Sequence, residues 1–467
     1  MRPLRSHSLF RRAATMVCAI ALAPSLRLSA QQNHELPDTP QPRRVLTAQA
    51  QTPPPLPGPP QVPVPLINPA AQAVTLEQAL DLAKRNNPSL QASQTLILQN
   101  KAQEITANLR PNPVLSMDAQ YLPLFEPSLF TDPNYWNDNS QFDAGVGYLF
   151  ERGKKRQHRL DAARSTTAVT EAQVSDAQRS VLASTAQLFI AALLAKSNLE
   201  FAESLLDSFK KTVDISEERQ KAGSMSRNDL LKIQLQSLQF ESDVNNAALV
   251  RAQALASLRQ FLGFDSVPPD YAVVGTLAYQ PVTARREDLQ ARALASRPDL
   301  LAAQRSVTAS QSQVGLAKAN GKVDFNVTFD YTRLNQSNLG AFYFSIPLPV
   351  FNKNQGEIAR TQYAVAQSQF QQKAAEQQVL TDVQNAYEGL RRSEQMVQLY
   401  DKGYLDKATQ SLEITKFSYE HGAASLLDFL DAERSYRSTE LSYRQALATY
   451  MTSLEQLRQA VGSRDLH

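Results

Sequence analysis

The chain has 467 residues, enough for several domains by length, but only 15 glycines, a composition suited to long helices. Its 48 Lys and Arg nearly balance its 45 Asp and Glu, and a net charge of +3 gives no argument for a nucleic-acid partner. One cysteine, Cys18, and five scattered histidines, His7, His34, His158, His421 and His467, provide no pair spaced to ligate zinc or iron on one helix, so no cofactor is expected.

The N-terminus reads as a cleavable signal peptide over residues 1–30: Arg2, Arg5, Arg11 and Arg12 precede an apolar run at 13–23, and Leu28-Ser29-Ala30 is a cleavage site. Cys18 lies inside the apolar run, after Thr15-Met16-Val17, which lacks the small residues of a lipoprotein signal. It is therefore read as discarded rather than lipidated. No later stretch approaches 18 consecutive apolar residues, so no transmembrane helix is expected. An exported chain of this kind is periplasmic, secreted or a β-barrel. Residues 31–74 form a linker with 12 prolines between Pro37 and Pro69.

The first repeat spans 75–262. Thr75 is an N-cap with Gln78 at the capping-box position, opening a helix that runs to about Arg110, where Pro111 and Pro113 end it. Strands at about 113–121 and 142–150 flank a long loop, 122–141. An uninterrupted stretch without Gly or Pro, 154–222, predicts one helix roughly 100 Å long. Gly223 breaks it, a second helix covers 227–262, and 263–284 is a connector.

The pattern then returns over 285–462. Asn87-Pro88-Ser89-Leu90 matches Arg297-Pro298-Asp299-Leu300, and Lys221-Ala222-Gly223 matches Glu420-His421-Gly422. This predicts a tandem repeat with strands at 323–332 and 340–350, a long helix at 357–421, a helix at 425–461 and a tail at 463–467. Phe429, Tyr436, Tyr443, Tyr450 and Leu457 recur every seventh residue, a coiled-coil seam.

Val323 to Thr332 alternates apolar and polar at period two over about ten residues, the length of a tilted membrane strand. A soluble sandwich strand has the same pattern. Four such strands cannot close a barrel, for which about eight are needed; three chains supply twelve. The expected fold is therefore a mixed α and β, mostly α, membrane protein: a trimeric 12-stranded barrel on a long α-helical coiled-coil tunnel. Asp118, Asp143, Asp324 and Asp330 would line a water-filled lumen, with the Phe, Val and Tyr face toward lipid.

The helix-to-helix turns, 222–230 and 421–430, would form the far tips. Asp428 and Asp431 lie three apart on one helix face, and threefold symmetry would stack them as two carboxylate rings, a gate that attracts cations. The plainer reading of Asp428 is a capping box with Ser425, as Asp229 pairs with Ser226; that of Asp431 is a solvated surface charge. Gly223, Ser224, Met225, Gly422, Ala423 and Ala424 make a small-residue surface that a partner hairpin could approach, or simply tight turns.

Across residues 75–462 the chain resembles the TolC family of outer-membrane efflux proteins. The blocks that carry the likeness are Leu109-Arg110-Pro111-Asn112-Pro113, Phe150-Glu151-Arg152-Gly153-Lys154-Lys155-Arg156, and Ser345-Ile346-Pro347-Leu348-Pro349-Val350-Phe351 leading to Asn354-Gln355-Gly356. The last two look most like the cobalt-zinc-cadmium (CzcC-like) branch. The resemblance implies a homotrimeric, non-enzymatic exit duct in the outer membrane with a periplasmic extension. A periplasmic adaptor and an inner-membrane RND-type pump would be its partners, with divalent heavy-metal cations as cargo. Organic compounds or secreted proteins are alternative cargo, and a pore-less periplasmic scaffold is the alternative class. The resemblance also places the family's constriction at Asp428 and Asp431 and its inter-helix tether at Tyr419 and Asp229. The tethering arginine would fall at Ala424, which cannot hydrogen-bond; Arg227 is a candidate substitute.

Overall fold

The computed structural model describes residues 73–466, so the expected signal peptide, Cys18 and most of the linker lie outside the described residues. The chain enters through a two-residue strand, β1 (Ala73–Val74), and Thr75 then caps α1 (Leu76–Asn86). The capping box is complete: the Gln78 N–H donates to the Thr75 hydroxyl at 3.4 Å, and the Thr75 N–H donates to the Gln78 side chain at 2.9 Å.

The expected single helix to Arg110 is in fact two. Pro88 excludes helical backbone from the residue before it, and Asn87 is extended (φ −66°, ψ 118°). Asn87 ends α1 and caps α2 (Pro88–Ala107), its carboxamide oxygen accepting from the Leu90 N–H at 3.1 Å. The amide end of the same side chain donates to Phe261 O at 3.0 Å, tying this break to a distant helix end.

Strand β2 (Val114–Gln120) follows, then a loop holding the short helix α3 (Pro133–Asp138), and β3 (Gln141–Phe150). Helix α4 (Lys155–Lys221) is continuous for 67 residues, about 100 Å at ~1.5 Å per residue. Helix α5 (Arg227–Leu262) returns along it, and β4 (Ala272–Val273) pairs in parallel with β1. Helix α4 is the one described helix long and apolar enough to cross a membrane. Its Phe189 and Ala192 instead pack into a core with Ala79 and Ala83 of α1 and Leu258 and Leu262 of α5.

The second half opens with α6 (Arg286–Ser296) and α7 (Pro298–Asn320), broken at Arg297 as the first pair is at Asn87. Strands β5 (Phe325–Leu334) and β6 (Ser337–Ser345) form a hairpin on the two-residue turn Asn335–Gln336, both at positive φ (48° and 63°). Positive φ at both turn residues matches the twist of the flanking strands. The expected loop at 333–339 is therefore mostly strand, and the expected strand at 340–350 sits earlier, because Pro347 and Pro349 cannot continue the ladder.

The expected long helix at 357–421 is interrupted. Helix α8 (Gln355–Leu399) leads into a wide turn, Tyr400–Tyr404, where Gly403 adopts φ 105°, before α9 (Leu405–Glu420). Helix α10 (Leu426–Val461) closes the chain, with Phe429, Tyr450 and Leu457 of the seven-residue seam buried. Leu466, expected in a loose tail, packs into the core of α6, α8 and α10 with Leu289, Val383 and Tyr450.

The four long strands form one antiparallel sheet in the order β2-β3-β5-β6. Across the sheet Leu115, Val146, Phe329 and Phe342 share one row, and Val327 stands opposite Phe344. Among the described residues this face meets no second layer: Met117 is 73% exposed and Phe342 79%.

Candidate functional site

Two helix turns are built alike. At the first, Gly223 (φ 77°) lets the Ser224 N–H reach back to Arg219 O at 2.9 Å; at the second, Gly422 (φ 80°) lets the Ala423 N–H reach Ser418 O at 2.7 Å. A left-handed glycine closes the final helical turn this way. Serine N-caps then start the next helices. The Ser226 hydroxyl accepts from the Asp229 N–H at 3.1 Å and donates to its carboxylate at 2.8 Å. The Ser425 hydroxyl does the same for Asp428 at 3.2 and 2.7 Å, and the Ser425 N–H adds a bond to that carboxylate at 3.1 Å.

Asp428 is thus a capping residue, and it is also exposed beside Asp431. The Ser425 hydroxyl and then its backbone N–H hold the Asp428 carboxyl below its ordinary value, so it stays charged at neutral pH. Asp431 is exposed one helical turn along the same side.

Behind this acidic face lies an aromatic core. Phe209 of α4, Ile233 and Phe240 of α5, Tyr419 of α9 and Phe429 of α10 are all buried in one cluster. Tyr419 and Phe429 stack with centroids 5.2 Å apart, and Phe209 and Phe240 meet at 4.7 Å. Met225 and Ala424 pack against this cluster, so they are turned inward, whereas Gly223, Ser224, Gly422 and Ala423 are exposed at the turns.

Tyr419 and Asp229 are not hydrogen-bonded to each other within the chain. The Asp229 carboxylate is held by Ser226 at 2.8 Å and approached by Lys232 at 3.4 Å. The Tyr419 hydroxyl is buried, and burial pushes it above its ordinary value, with the nearby Ser216 hydroxyl opposing. Arg227 is exposed. Arg219 of α4 donates to Tyr419 O at 3.3 Å and lays its guanidinium over the Tyr419 ring at 5.6 Å.

Two features near the tip escaped the sequence reading. Arg437 of α10 pairs with Asp243 of α5 at 2.5 Å and covers the Phe240 ring at 5.4 Å. Glu433, one turn before it, is 5% exposed, and its Oε1 is sealed from solvent with no hydrogen-bond partner. Burial pushes its carboxyl up to about 7, against the opposing pull of Arg437.

At the opposite end, three of the four expected lumen aspartates share the polar face of the sheet. Asp118 stands directly opposite Asp143, and Asp330 opposite Gly145. A Cβ on Gly145 would meet the Asp330 carboxylate, so a side chain there would force Asp330 to turn away. Asp324 is not part of this face. It precedes β5 and accepts from the Arg152 N–H at 2.8 Å and from Lys155 Nζ at 2.6 Å, joining sheet to helix.

The family profile described as outer membrane efflux protein matches residues 79–264 and 289–463. The chain is 24% identical over 388 residues to the cobalt-zinc-cadmium resistance protein CzcC of Cupriavidus metallidurans, covering 82% of this chain and 89% of that protein. It is 25% identical over 325 residues to the cation efflux system protein CusC of Escherichia coli K12, covering 65% and 71%. Its fold is similar to that of a crystal structure of CusC, with a TM-score of 0.67 and 20% identity over 83% of this chain and 92% of that one.

Proposed function

The chain belongs to the outer membrane efflux protein family, and on that premise we propose that three copies assemble into a passive duct. Twelve strands would form a barrel in the outer membrane, and the long helices would form a periplasmic tunnel narrowing at Asp428 and Asp431. The observation that carries this reading is the open sheet. Among the described residues, strands β2 and β6 each leave one edge unpaired, and the apolar face is bare. In hydrocarbon an unpaired strand edge costs several kcal/mol per group, so such a sheet is viable only when closed on neighbouring copies. The polar face with Asp118, Asp143 and Asp330 would then line water.

The cargo we assign is divalent heavy-metal cations, supported by the names of the CzcC and CusC relatives and by the paired carboxylates at the tip. Energy would come from an inner-membrane RND-type pump. A periplasmic adaptor would engage the exposed Gly223, Ser224, Gly422 and Ala423.

The deciding experiment is conductance of the purified mature chain in a planar bilayer, with the reversal potential taken across a salt gradient. Discrete cation-selective steps support the duct. A detergent-dependent trimer without steps means a duct closed at its tip. A protein soluble without detergent overturns the barrel and favours the scaffold.

A further inference from the structure

A carboxyl group buried without a partner is costly when ionised and shifts toward its neutral form. Glu433 is such a group. Phe429 lies one turn before it on α10, in the cluster with Phe209 of α4 and Phe240 of α5. From α5, Asp243 faces it; along its own helix, Arg437 faces it but is already committed to Asp243 at 2.5 Å. Helix α4 brings Phe209 and Leu205 to this region, and α9 brings Leu412 and Tyr419, of which only the Tyr419 phenol titrates. The Arg437 charge is therefore shared, and Glu433 Oε1 is left with nothing to accept from.

We propose that Glu433 is a proton-held latch: protonated, it lets α10 lie flush against α4 and α9, and ionised, it drives that contact apart behind the Asp428–Asp431 face. The opened form exposes the carboxylate to water, where it titrates near its ordinary value of 4.5 rather than about 7. Linkage then favours opening as pH rises, by about tenfold between pH 6 and pH 8. In the periplasm, whose pH follows the surroundings, acid would hold the tip shut and alkali would ease it. The consequence for transport rests on the duct reading; the latch itself does not.

The test is hydrogen exchange of the full mature chain in detergent at pH 6 and pH 8, corrected for intrinsic rates and read on α10 peptides covering residues 426–440. The expected result is about tenfold less protection at pH 8 in the native protein and no pH difference in Glu433→Gln, which keeps the shape and removes the charge. Infrared difference spectra of the native chain should also show a protonated-carboxyl band lost between pH 6 and pH 8 and missing from Glu433→Gln. Equal native protection at both pH values, or the same pH difference in Glu433→Gln, overturns the latch. Exchange reports the packing whether or not current flows, so a missing conductance would count against the duct and not against Glu433.

Discussion

Arg437 on α10 and Asp243 on α5 meet at 2.5 Å, and the guanidinium also covers the Phe240 ring, so one side chain holds two helices together by charge and by its flat face. Both side chains are less than one third exposed, which reduces solvent screening. A double-mutant cycle with Asp243→Asn and Arg437→Gln should give a coupling of about 1–2 kcal/mol in urea unfolding. Arg437→Lys should recover only part of it, because an ammonium cannot cover the ring as a guanidinium does. A coupling of zero would mean that the pair is an accident of two solvated ends.

Asp428 and Asp431 share a side of α10 but not a role. Asp428 closes a capping box, while Asp431 projects beside it. Asp431→Asn should therefore weaken cation selectivity without altering the thermal midpoint, whereas Asp428→Asn should lower both. The Asp428 carboxyl is depressed, so its stabilising contribution is present above the ordinary value of 3.8 and is lost as pH falls through the depressed one. Reversal potentials and melting curves on the two single variants separate the roles. Unchanged selectivity in the double variant would remove these residues from the constriction.

The elements were legible where the pattern is local. Period-two alternation located three strands to within two residues and the last to within five, and glycine with a serine three residues on marked both turns. What stayed hidden depends on packing between distant segments. Asn87 ends one helix and starts the next without a gap, so the apolar pattern runs through it, and only its bond to Phe261 O shows why the break is kept. An isolated Gly403 looks like a tolerated helix glycine until the backbone shows φ 105°. Glu433 falls off the seven-residue seam counted from Phe429, and nothing local says that it faces inward. Asp324 alternates in step with Asp330, and only the position of Lys155 assigns it to the junction.

Arg297 should be the most costly single polar side chain to remove. Its side chain is 4% exposed and pairs with Asp299 at 2.5 Å and Asp382 at 2.9 Å, while also donating to Ala460 O at 3.2 Å. Arg297→Ala leaves two carboxylates without their cation and should cost about 3–5 kcal/mol. Burial alone would raise the Asp299 carboxyl, but the Arg297 guanidinium outweighs it and holds the group low. The contribution is present above the ordinary carboxylate value and lost as pH falls through the depressed one, so Arg297→Ala should flatten the acid limb of the stability curve. Urea midpoints between pH 2 and pH 7 check both statements.

Two glycines in the long helical hairpin should respond oppositely to one methyl group. Gly389 lies inside α8 with open space where a Cβ would stand, so Gly389→Ala should stabilise by about 0.5–1 kcal/mol through lost unfolded-state freedom. Gly403 also has open space, but its φ of 105° disfavours any side chain, and Gly403→Ala should cost about 1–2 kcal/mol by backbone strain alone. Thermal midpoints of the two variants decide this. A stabilising Gly403→Ala would mean that the wide turn at Tyr400–Tyr404 relaxes into continuous helix.

Adjacent positions on β2 give the sharpest test of which face meets lipid. Met117 belongs to the bare apolar face with Leu115, and Ser116 points the other way, in the row with Gly145 and Asp330. If the sheet closes into a barrel, Met117→Arg places a charge in hydrocarbon and should cost up to about 2–4 kcal/mol, depending on depth. Ser116→Arg places the same charge in the water-filled interior, beside an aspartate, and should leave assembly intact while lowering cation conductance. Membrane fractionation and trimer recovery read the first variant, and single-channel current reads the second. If both are equally well tolerated in assembly, neither face of β2 is buried in lipid and the barrel is wrong. If Ser116→Arg blocks assembly and Met117→Arg does not, the sheet is closed with the opposite face outward.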